Sequence, residues 1–260
     1  MIKNLKQLIG YRELIYAFTL REIKVRYKQT VLGASWAILQ PLALTIIFTI
    51  IFSIFLKVDS GPIPYPIFAY SALLPWTFFT TSVNFGSLSV VNNSSLVTKI
   101  FFPRETLPIS AIAAAFFDFI IAAIIFLVMM IYYNVGISFN ILLLLIIMPA
   151  IIIFTLGVTL MLSALNVIFR DIKFVVPLLL QIWLYTSPII YSVDQVPQRL
   201  KNIYIVNPMA PLIESFRKVT VAGSLPNFAE LALAITISIA VFITGYAFFK
   251  SKEKIFTDVI

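Results

Sequence analysis

The sequence predicts an all-α membrane protein with six transmembrane helices, and three observations support this fold class. First, 61% of the 260 residues are hydrophobic and only 12% are charged. Second, the 64 residues between Glu105 and Arg170 contain one charged side chain, Asp118, and residues 31–56 and 60–98 contain none. Third, apolar segments of about 20 residues recur, which is the length needed to cross a hydrocarbon core of about 30 Å. The predicted spans are residues 38–56, 67–88, 107–132, 141–165, 174–190 and 231–249.

The basic residues predict that both chain termini are cytoplasmic. Fourteen of the 19 Lys and Arg residues fall in the N-terminal 30 residues, the loops after spans two and four, and the C-terminal tail. Basic residues are enriched on the cytoplasmic side of membrane proteins. We therefore interpret the net charge of +8 as a topology signal and expect no binding of nucleic acid. The chain divides into an interfacial segment, residues 1–30, and a transmembrane domain, residues 31–260.

The N-terminal segment predicts an amphipathic helix over residues 11–28. Leu14, Ile15 and Phe18 fall on one helical face, and basic residues punctuate the rest. This pattern is typical of a helix that lies in the plane of the membrane interface. The alternative is a charged segment that only fixes the orientation of the first span.

The second loop predicts a short cytoplasmic helix over residues 96–101. Asn and Ser residues that favour helix N-termini precede it, and Pro103 ends it and begins the next helix. We expect Ile100, Phe101 and Phe102 to be exposed there, which favours a docking surface for a partner protein. The alternative is that these side chains enter the headgroup region of the membrane.

The outer segment between spans five and six, residues 192–227, predicts two short helices. The stretches 199–206 and 211–222 are too short to span a membrane. Pro211 near the start of the second stretch and Gly223 just after its end are typical helix boundaries. We expect two re-entrant helices that form an outer lid, and the alternative is two surface helices without a gating role.

The residues that are absent exclude most enzyme chemistry. The chain contains no His and no Cys, and it lacks the glycine-rich P-loop that binds ATP. No catalytic residue and no metal site are predicted. Asp118 is the one ionisable residue deep in a span, where it costs roughly 2.5–3.5 kcal/mol on insertion scales. It is either a proton or cation site or, as we favour, a polar tie to a Tyr, Ser, Thr or Asn on a neighbouring helix.

Aromatic side chains on spans one, two and five are candidate contacts for sugar rings. An aromatic face suits the apolar C–H face of a sugar, whereas contact with lipid and interfacial belts are the alternative explanations. The candidate pore-lining residues are Phe48, Phe52, Phe55, Tyr70, Trp76, Phe79, Trp183, Tyr185 and Tyr191.

Five stretches, taken in order, resemble the type-2 ABC exporter permease family that exports polysaccharides such as O-antigen, capsule or teichoic acid. The resemblance covers nearly the whole chain. The matching stretches are residues 20–42, 73–83, 92–110, 166–191 and 207–219.

The resemblance implies a non-enzymatic permease in the bacterial inner membrane. Two copies would assemble with two separate ATPase subunits, which bind ATP and Mg²⁺, so that this chain needs no cofactor. A lipid-linked polysaccharide would leave the cytoplasm through a channel at the permease dimer interface. An exporter of small lipids or drugs, and a proton- or ion-coupled carrier that uses Asp118, are the competing interpretations. The sequence names neither the glycan nor its lipid anchor.

The resemblance also assigns roles to two sets of residues. The short cytoplasmic helix corresponds to a coupling helix that docks into the ATPase, with contacts from Leu96, Lys99, Ile100, Phe101, Phe102 and Arg104. Basic residues near the interface are candidates for the lipid diphosphate, although topology explains them equally well: Arg21, Lys24, Arg26 and Lys28.

Overall fold

The computed structural model of the chain is helical, with no strand among the residues that it describes. These are residues 8, 10–28, 30, 32–58, 61–193, 197, 204 and 206–259. The first predicted outer helix, residues 199–206, therefore lies outside the described residues except for Tyr204 and Val206.

The described residues form ten α-helices, numbered here in chain order. The first half contains α1 (Arg12–Tyr27), α2 (Trp36–Phe48, continued by π-helical turns over Thr49–Phe55), α3 (Tyr65–Asn92), α4 (Ser94–Lys99) and α5 (Thr106–Tyr132). The second half contains α6 (Leu144–Ile168, preceded by a 3-10 turn over Phe139–Leu143), α7 (Ile172–Tyr185), α8 (Met209–Arg217, continued by a π-helical turn over Lys218–Ala222), α9 (Phe228–Lys252, followed by a 3-10 turn over Glu253–Ile255) and α10 (Phe256–Val259).

Four helices in the described part of the chain are long and apolar enough to cross a membrane. They are Trp36–Phe55, Thr106–Tyr132, Phe139–Ile168 and Phe228–Ile255, and they coincide with predicted spans one, three, four and six. Spans two and five stay predictions. Helix α3 has 28 residues but carries many Ser, Thr and Asn side chains, and the 14 residues of α7 extend only about 21 Å.

Helix α3 is the centre of the bundle. It packs against α2, α5, α6, α7 and α8, and 19 of its 28 residues are buried. Several of its hydroxyl groups bond within the helix: Ser71 donates to the carbonyl of Phe68 at 2.7 Å and Thr80 to that of Trp76 at 3.1 Å. Ser82 is buried without a hydrogen-bond partner among the described residues. Because neighbouring helices cover α3, its polar side chains need not face lipid.

Helices α6 and α9 approach most closely at two glycines. A Cβ atom on Gly157 would lie 2.6 Å from the backbone nitrogen of Phe242, and one on Gly245 would lie 2.2 Å from the carbonyl oxygen of Gly157. Only glycine fits at these positions, as is common where membrane helices pack backbone to backbone. The contact fixes the predicted spans four and six against each other.

Candidate functional site

The loop after α4 exposes two neighbouring large apolar side chains, Ile100 and Phe101. Phe101 is 89% exposed and Ile100 is 57% exposed, whereas Phe102 is buried at 6%. The expected exposure of Phe102 is therefore wrong. Its ring packs edge-on against Phe18 of α1 at a centroid distance of 5.7 Å, so the apolar face of α1 covers it. The role of this loop in docking stays a prediction.

The short helix is present but is displaced by two residues from its predicted position. It covers Ser94–Lys99 rather than residues 96–101, because the backbone at Ile100 is extended. Lys99 is exposed, and Leu96 is partly buried against the apolar cluster of Val97, Phe102 and their neighbours.

Ion pairs fix the loop after α4 to the end of α9. Lys250 lies 2.6 Å from a carboxylate oxygen of Glu105 and 2.8 Å from one of Glu253. The backbone N–H of Arg104 donates to Glu253 Oε1 at 3.3 Å, and its guanidinium donates to the carbonyl of Glu253 at 2.5 Å. Glu105 is only 1% exposed, so this pairing is largely shielded from water. The loop that carries Phe101 is thus joined to the C-terminal end of α9, which corresponds to predicted span six.

Helix α1 runs against α5 and contacts the second loop. Ser110 of α5 donates to the carbonyl of Ile15 at 3.2 Å. Arg21 donates to the side-chain oxygen of Asn93 at 2.6 Å and forms a 3.2 Å ion pair with Glu22. The N-terminal helix is therefore part of the packed bundle, and its predicted interfacial position stays a prediction.

Asp118 forms a polar tie to α1. Its carboxylate accepts a hydrogen bond from the Tyr27 hydroxyl, which is a partner of the expected kind, and it also forms an ion pair with Arg26. Burial and this hydrogen bond raise the pKa of Tyr27, so the hydroxyl remains a donor. The Arg26 guanidinium lies 4.1 Å from the ring centroid of Phe85, and its Nη2 is buried without a hydrogen-bond partner among the described residues.

A cavity opens beside this ion pair between α1, α2, α3 and α5. Its volume is about 220 Å³. Arg26, Tyr27 and Asp118 supply its charged and polar end, and aromatic rings and threonines supply its walls. The wall residues include Trp36, Gln40, Thr77, Phe78, Thr81, Phe85 and Phe119. Sequence reasoning identified Asp118 but gave no sign of the cavity, because its lining comes from four separate segments.

The four basic candidates for the lipid diphosphate fall into two pairs. Arg21 and Arg26 are engaged by Asn93 and Asp118 respectively. Lys24 and Lys28 are exposed, and neither side chain forms an ion pair or hydrogen bond within the part of the chain that the structure describes. Binding of the diphosphate by any of the four stays a prediction.

The candidate pore aromatics also divide by burial. Tyr70 donates to the carbonyl of Ala122 at 3.0 Å, and the Phe79 ring lies 5.3 Å from that of Trp183, so these rings join the bundle core. Four of the nine are buried: Phe48, Tyr70, Trp76 and Phe79. The others are partly or fully exposed: Phe52, Phe55, Trp183, Tyr185 and Tyr191. Their contact with sugar stays a prediction.

Helix α8, which is predicted to lie on the outer side, is anchored by a buried arginine that sequence reasoning counted only as an outer basic residue. Arg217 is 3% exposed. It donates to the carbonyls of Pro188 and Ile189 at 2.9 and 3.2 Å, and it pairs with Glu214 at 2.9 Å. Its guanidinium also lies 3.8 Å from the Phe68 ring centroid. The chain after α7, helix α8 and the outer end of α3 therefore form one packed unit.

The predicted end of the outer helix is confirmed. The π-helical turn after α8 stops at Gly223, which has a φ of 63°, a left-handed conformation that favours glycine. Asn140 donates to the Gly223 carbonyl at 2.8 Å and so holds this end against the start of α6. The role of the segment as a lid stays a prediction.

Comparisons with known proteins identify the family. The O-antigen export system permease protein RfbA of Myxococcus xanthus is 28% identical over 100% of both chains, and RfbA of Klebsiella pneumoniae is 29% identical over 99% of both. The polysialic acid transport protein KpsM of Escherichia coli is 26% identical over 92% of this chain and 93% of its own. The family model for the ABC-2 type transporter matches residues 13–221. The chain therefore belongs to the ABC-2 type transporter family.

Proposed function

We propose that this chain is the permease subunit of an ATP-driven exporter that moves a lipid-linked polysaccharide from the cytoplasm to the outer face of the bacterial inner membrane. Support comes from relatives named for O-antigen export and polysialic acid transport, which align over nearly their full lengths. The chain has no P-loop, so a separate ATPase subunit binds ATP and Mg²⁺.

Six spans are part of this proposal, with α3 as the second and α7 as the fifth. Helix α3 is covered by other helices. Its polar side chains therefore contact protein rather than lipid, and a lower hydropathy is compatible with a membrane span. Helix α7 is short, but the residues that follow it, from Ser187 to Ile190, are buried and complete the crossing. An even number of spans places both termini on the same side of the membrane, and the basic residues predict that this side is cytoplasmic.

The functional unit in this proposal is a two-fold dimer with the translocation path between permeases. Closed two-fold symmetry is the commonest arrangement of homo-oligomers. Helix α7 supports it, because only Val176 and Leu180 of its 14 residues are buried, which leaves most of its surface for a second copy or lipid. Tyr185 on α7 and Phe55 at the end of α2 are 55% and 73% exposed, and we expect them to contact the glycan.

The substrate enters from the cytoplasmic side in this scheme. The side chains of Lys24 and Lys28 have no partner among the described residues, and these two lysines are the candidates that remain for a lipid diphosphate. The outer segment, packed around Arg217, covers the exit. We do not propose a proton-coupled carrier, since Asp118 is engaged by Arg26 and Tyr27.

The exposure of Phe101 is the observation that carries the ATPase partnership. A phenylalanine 89% exposed near the start of a predicted cytoplasmic loop, next to the exposed Ile100, offers an apolar surface to a partner protein. Because the adjoining Arg104 and Glu105 are joined to α9, motion of the docked partner is transmitted to the bundle rather than absorbed by a flexible loop.

Co-purification of the chain with its ATPase tests this surface. Phe101→Asp should abolish retention of the ATPase while the permease still inserts, because a charge replaces the docking ring. Phe139→Asp is the matched control, since Phe139 is 84% exposed on the predicted outer side. Unchanged retention in Phe101→Asp, or equal loss in both variants, would refute docking at Phe101.

The substrate class needs its own experiment. A purified lipid-linked glycan should stimulate ATP hydrolysis by the reconstituted complex, because the bound substrate favours the state in which hydrolysis proceeds. Lipophilic drugs and short-chain lipids should have little effect. The reverse order of stimulation would identify an exporter of small lipids or drugs within the same family.

A further inference from the structure

The cavity beside Asp118 has the features of a ligand site that the export function leaves unused. Its walls are mostly apolar and aromatic, and a few polar groups converge at one end, which is the usual make-up of a small-molecule site. We propose that it binds the head group of a zwitterionic phospholipid with a primary ammonium, of the phosphatidylethanolamine type.

The position of the cavity indicates a ligand that comes from the membrane. Asp118 precedes Tyr132, the last residue of α5, by 14 residues, or about 21 Å along the helix axis. In a hydrocarbon core of about 30 Å, this depth is in the inner leaflet, toward its headgroups. Trp36 and Phe85, which line the cavity, are 53% and 45% exposed, and Leu39 beside them on α2 is 40% exposed. The mouth therefore opens between side chains that suit lipid.

The charges of the site match a zwitterion. Arg26 Nη2 is a buried donor without a partner among the described residues, and a phosphate oxygen would satisfy it. The Asp118 carboxylate, already in contact with Arg26 and Tyr27, has further lone pairs that can accept from an ammonium. The pair of Arg26 and Asp118 carries no net charge. A zwitterionic ligand can therefore place its phosphate beside Arg26 and its ammonium beside Asp118.

The same charges disfavour the other phosphate lipids. An anionic lipid, or a diphosphate, would place uncompensated negative charge close to the Asp118 carboxylate. A choline head group carries a positive charge but no N–H to donate to the carboxylate. This site is consequently distinct from Lys24 and Lys28, where the diphosphate of the transported lipid is proposed to bind.

The test compares three phospholipids that share the same acyl chains. The purified full-length chain in detergent is supplied with phosphatidylethanolamine, phosphatidylglycerol or phosphatidylcholine. Retained lipid is counted by native mass spectrometry, and the thermal midpoint is recorded. Phosphatidylethanolamine should be retained best and raise the midpoint most. In Asp118→Asn, which keeps an acceptor for Tyr27, its retention should fall about tenfold, since a charge-assisted hydrogen bond is lost.

A second variant tests the cavity without touching the ion pair. Thr81→Leu places a larger side chain in the wall of the cavity and should lower the retention of phosphatidylethanolamine. This variant still tests the proposal if Asp118→Asn does not fold. Thr236→Leu is the matched control, because Thr236 lies on the exposed face of α9. Equal retention of the three lipids, or retention unaffected by Thr81→Leu, would overturn the proposal. Displacement of phosphatidylethanolamine by a prenyl diphosphate glycan would assign the cavity to the transported lipid instead.

Discussion

Two arginines, Arg26 and Arg217, occupy similar surroundings near opposite faces of the bundle but differ in how fully they are bonded. Each guanidinium lies over a phenylalanine ring, at 4.1 Å for Arg26 and 3.8 Å for Arg217. Arg217 has two backbone carbonyls and Glu214 as acceptors, and its Nε is buried without a partner among the described residues. Arg26 has one carboxylate, that of Asp118, and adjoins a cavity.

The difference between the two arginines lies in the acceptors that the backbone supplies to each guanidinium. The chain after α7 turns so that the carbonyls of Pro188 and Ile189 point at Arg217, which makes this arginine a structural tie for α8. No backbone carbonyl accepts a hydrogen bond from Arg26 among the described residues, so its Nη2 is left without a partner next to the cavity. Arg217 is consequently expected to matter most for folding and Arg26 for binding.

The largest expected effect is that of Arg217→Met. Methionine has a similar length but leaves Glu214 and two carbonyls without their donor in a buried place. Removing one partner of a buried ion pair costs about 3–5 kcal/mol, so the thermal midpoint in detergent should fall sharply and the outer segment should become sensitive to protease.

Lys218→Met is the control for Arg217→Met. Lys218 is adjacent in sequence and only partly buried, and its side chain makes no ion pair in the described part of the chain. Its replacement should leave the midpoint nearly unchanged. Equal midpoints for the two variants would mean that Arg217 does not anchor α8.

A smaller effect is expected at the Arg26 and Asp118 pair, which is 13% and 15% exposed. Asp118→Ala should cost about 1–3 kcal/mol, because a charged hydrogen bond is lost and Arg26 remains partly desolvated. Replacing both residues by Ala should cost less than the sum of the two single changes, because neither charge is then left alone.

Thermal unfolding of the four proteins in this cycle gives the coupling energy. A coupling near zero would show that the pair does not tie α1 to α5. If the effects of Arg26→Ala and Asp118→Ala on the free energy of unfolding add up, and both variants retain lipid normally, Arg26 would no longer differ from Arg217 in having a role in binding.

The spans could be predicted from the sequence because a bilayer imposes a length and an apolar composition. Predicted spans one, three and four start at residues 38, 107 and 141, and the corresponding helices start at Trp36, Thr106 and Phe139. Span two was harder to establish, because α3 is buried by protein and so carries hydroxyls that a lipid-facing helix would lack.

The contacts that build the candidate sites could not be predicted. Arg26 and Asp118 are separated by 92 positions in the chain. The positive-inside rule also accounts for a basic residue at position 26, so nothing in the sequence indicated that it pairs with Asp118. Phe102 has the same residue type as its neighbour Phe101, and only the packing of Phe18 against it distinguishes the buried ring from the exposed one. Arg217 gave no sign of burial, because two of its three acceptors are backbone carbonyls, which every residue type carries, and a Glu three positions away is equally compatible with an exposed pair.

The smallest expected effect on stability is that of Lys24→Gln combined with Lys28→Gln. Both side chains are exposed, and surface changes of this kind usually alter the free energy of unfolding by less than about 0.5 kcal/mol. If they bind the lipid diphosphate, ATP hydrolysis by the reconstituted complex should nevertheless require more lipid-linked glycan for half-maximal stimulation. An unchanged requirement, with normal insertion, would return these lysines to a role in topology alone. It would also leave Arg21 and Arg26 as candidates that must break existing contacts before they can bind a phosphate.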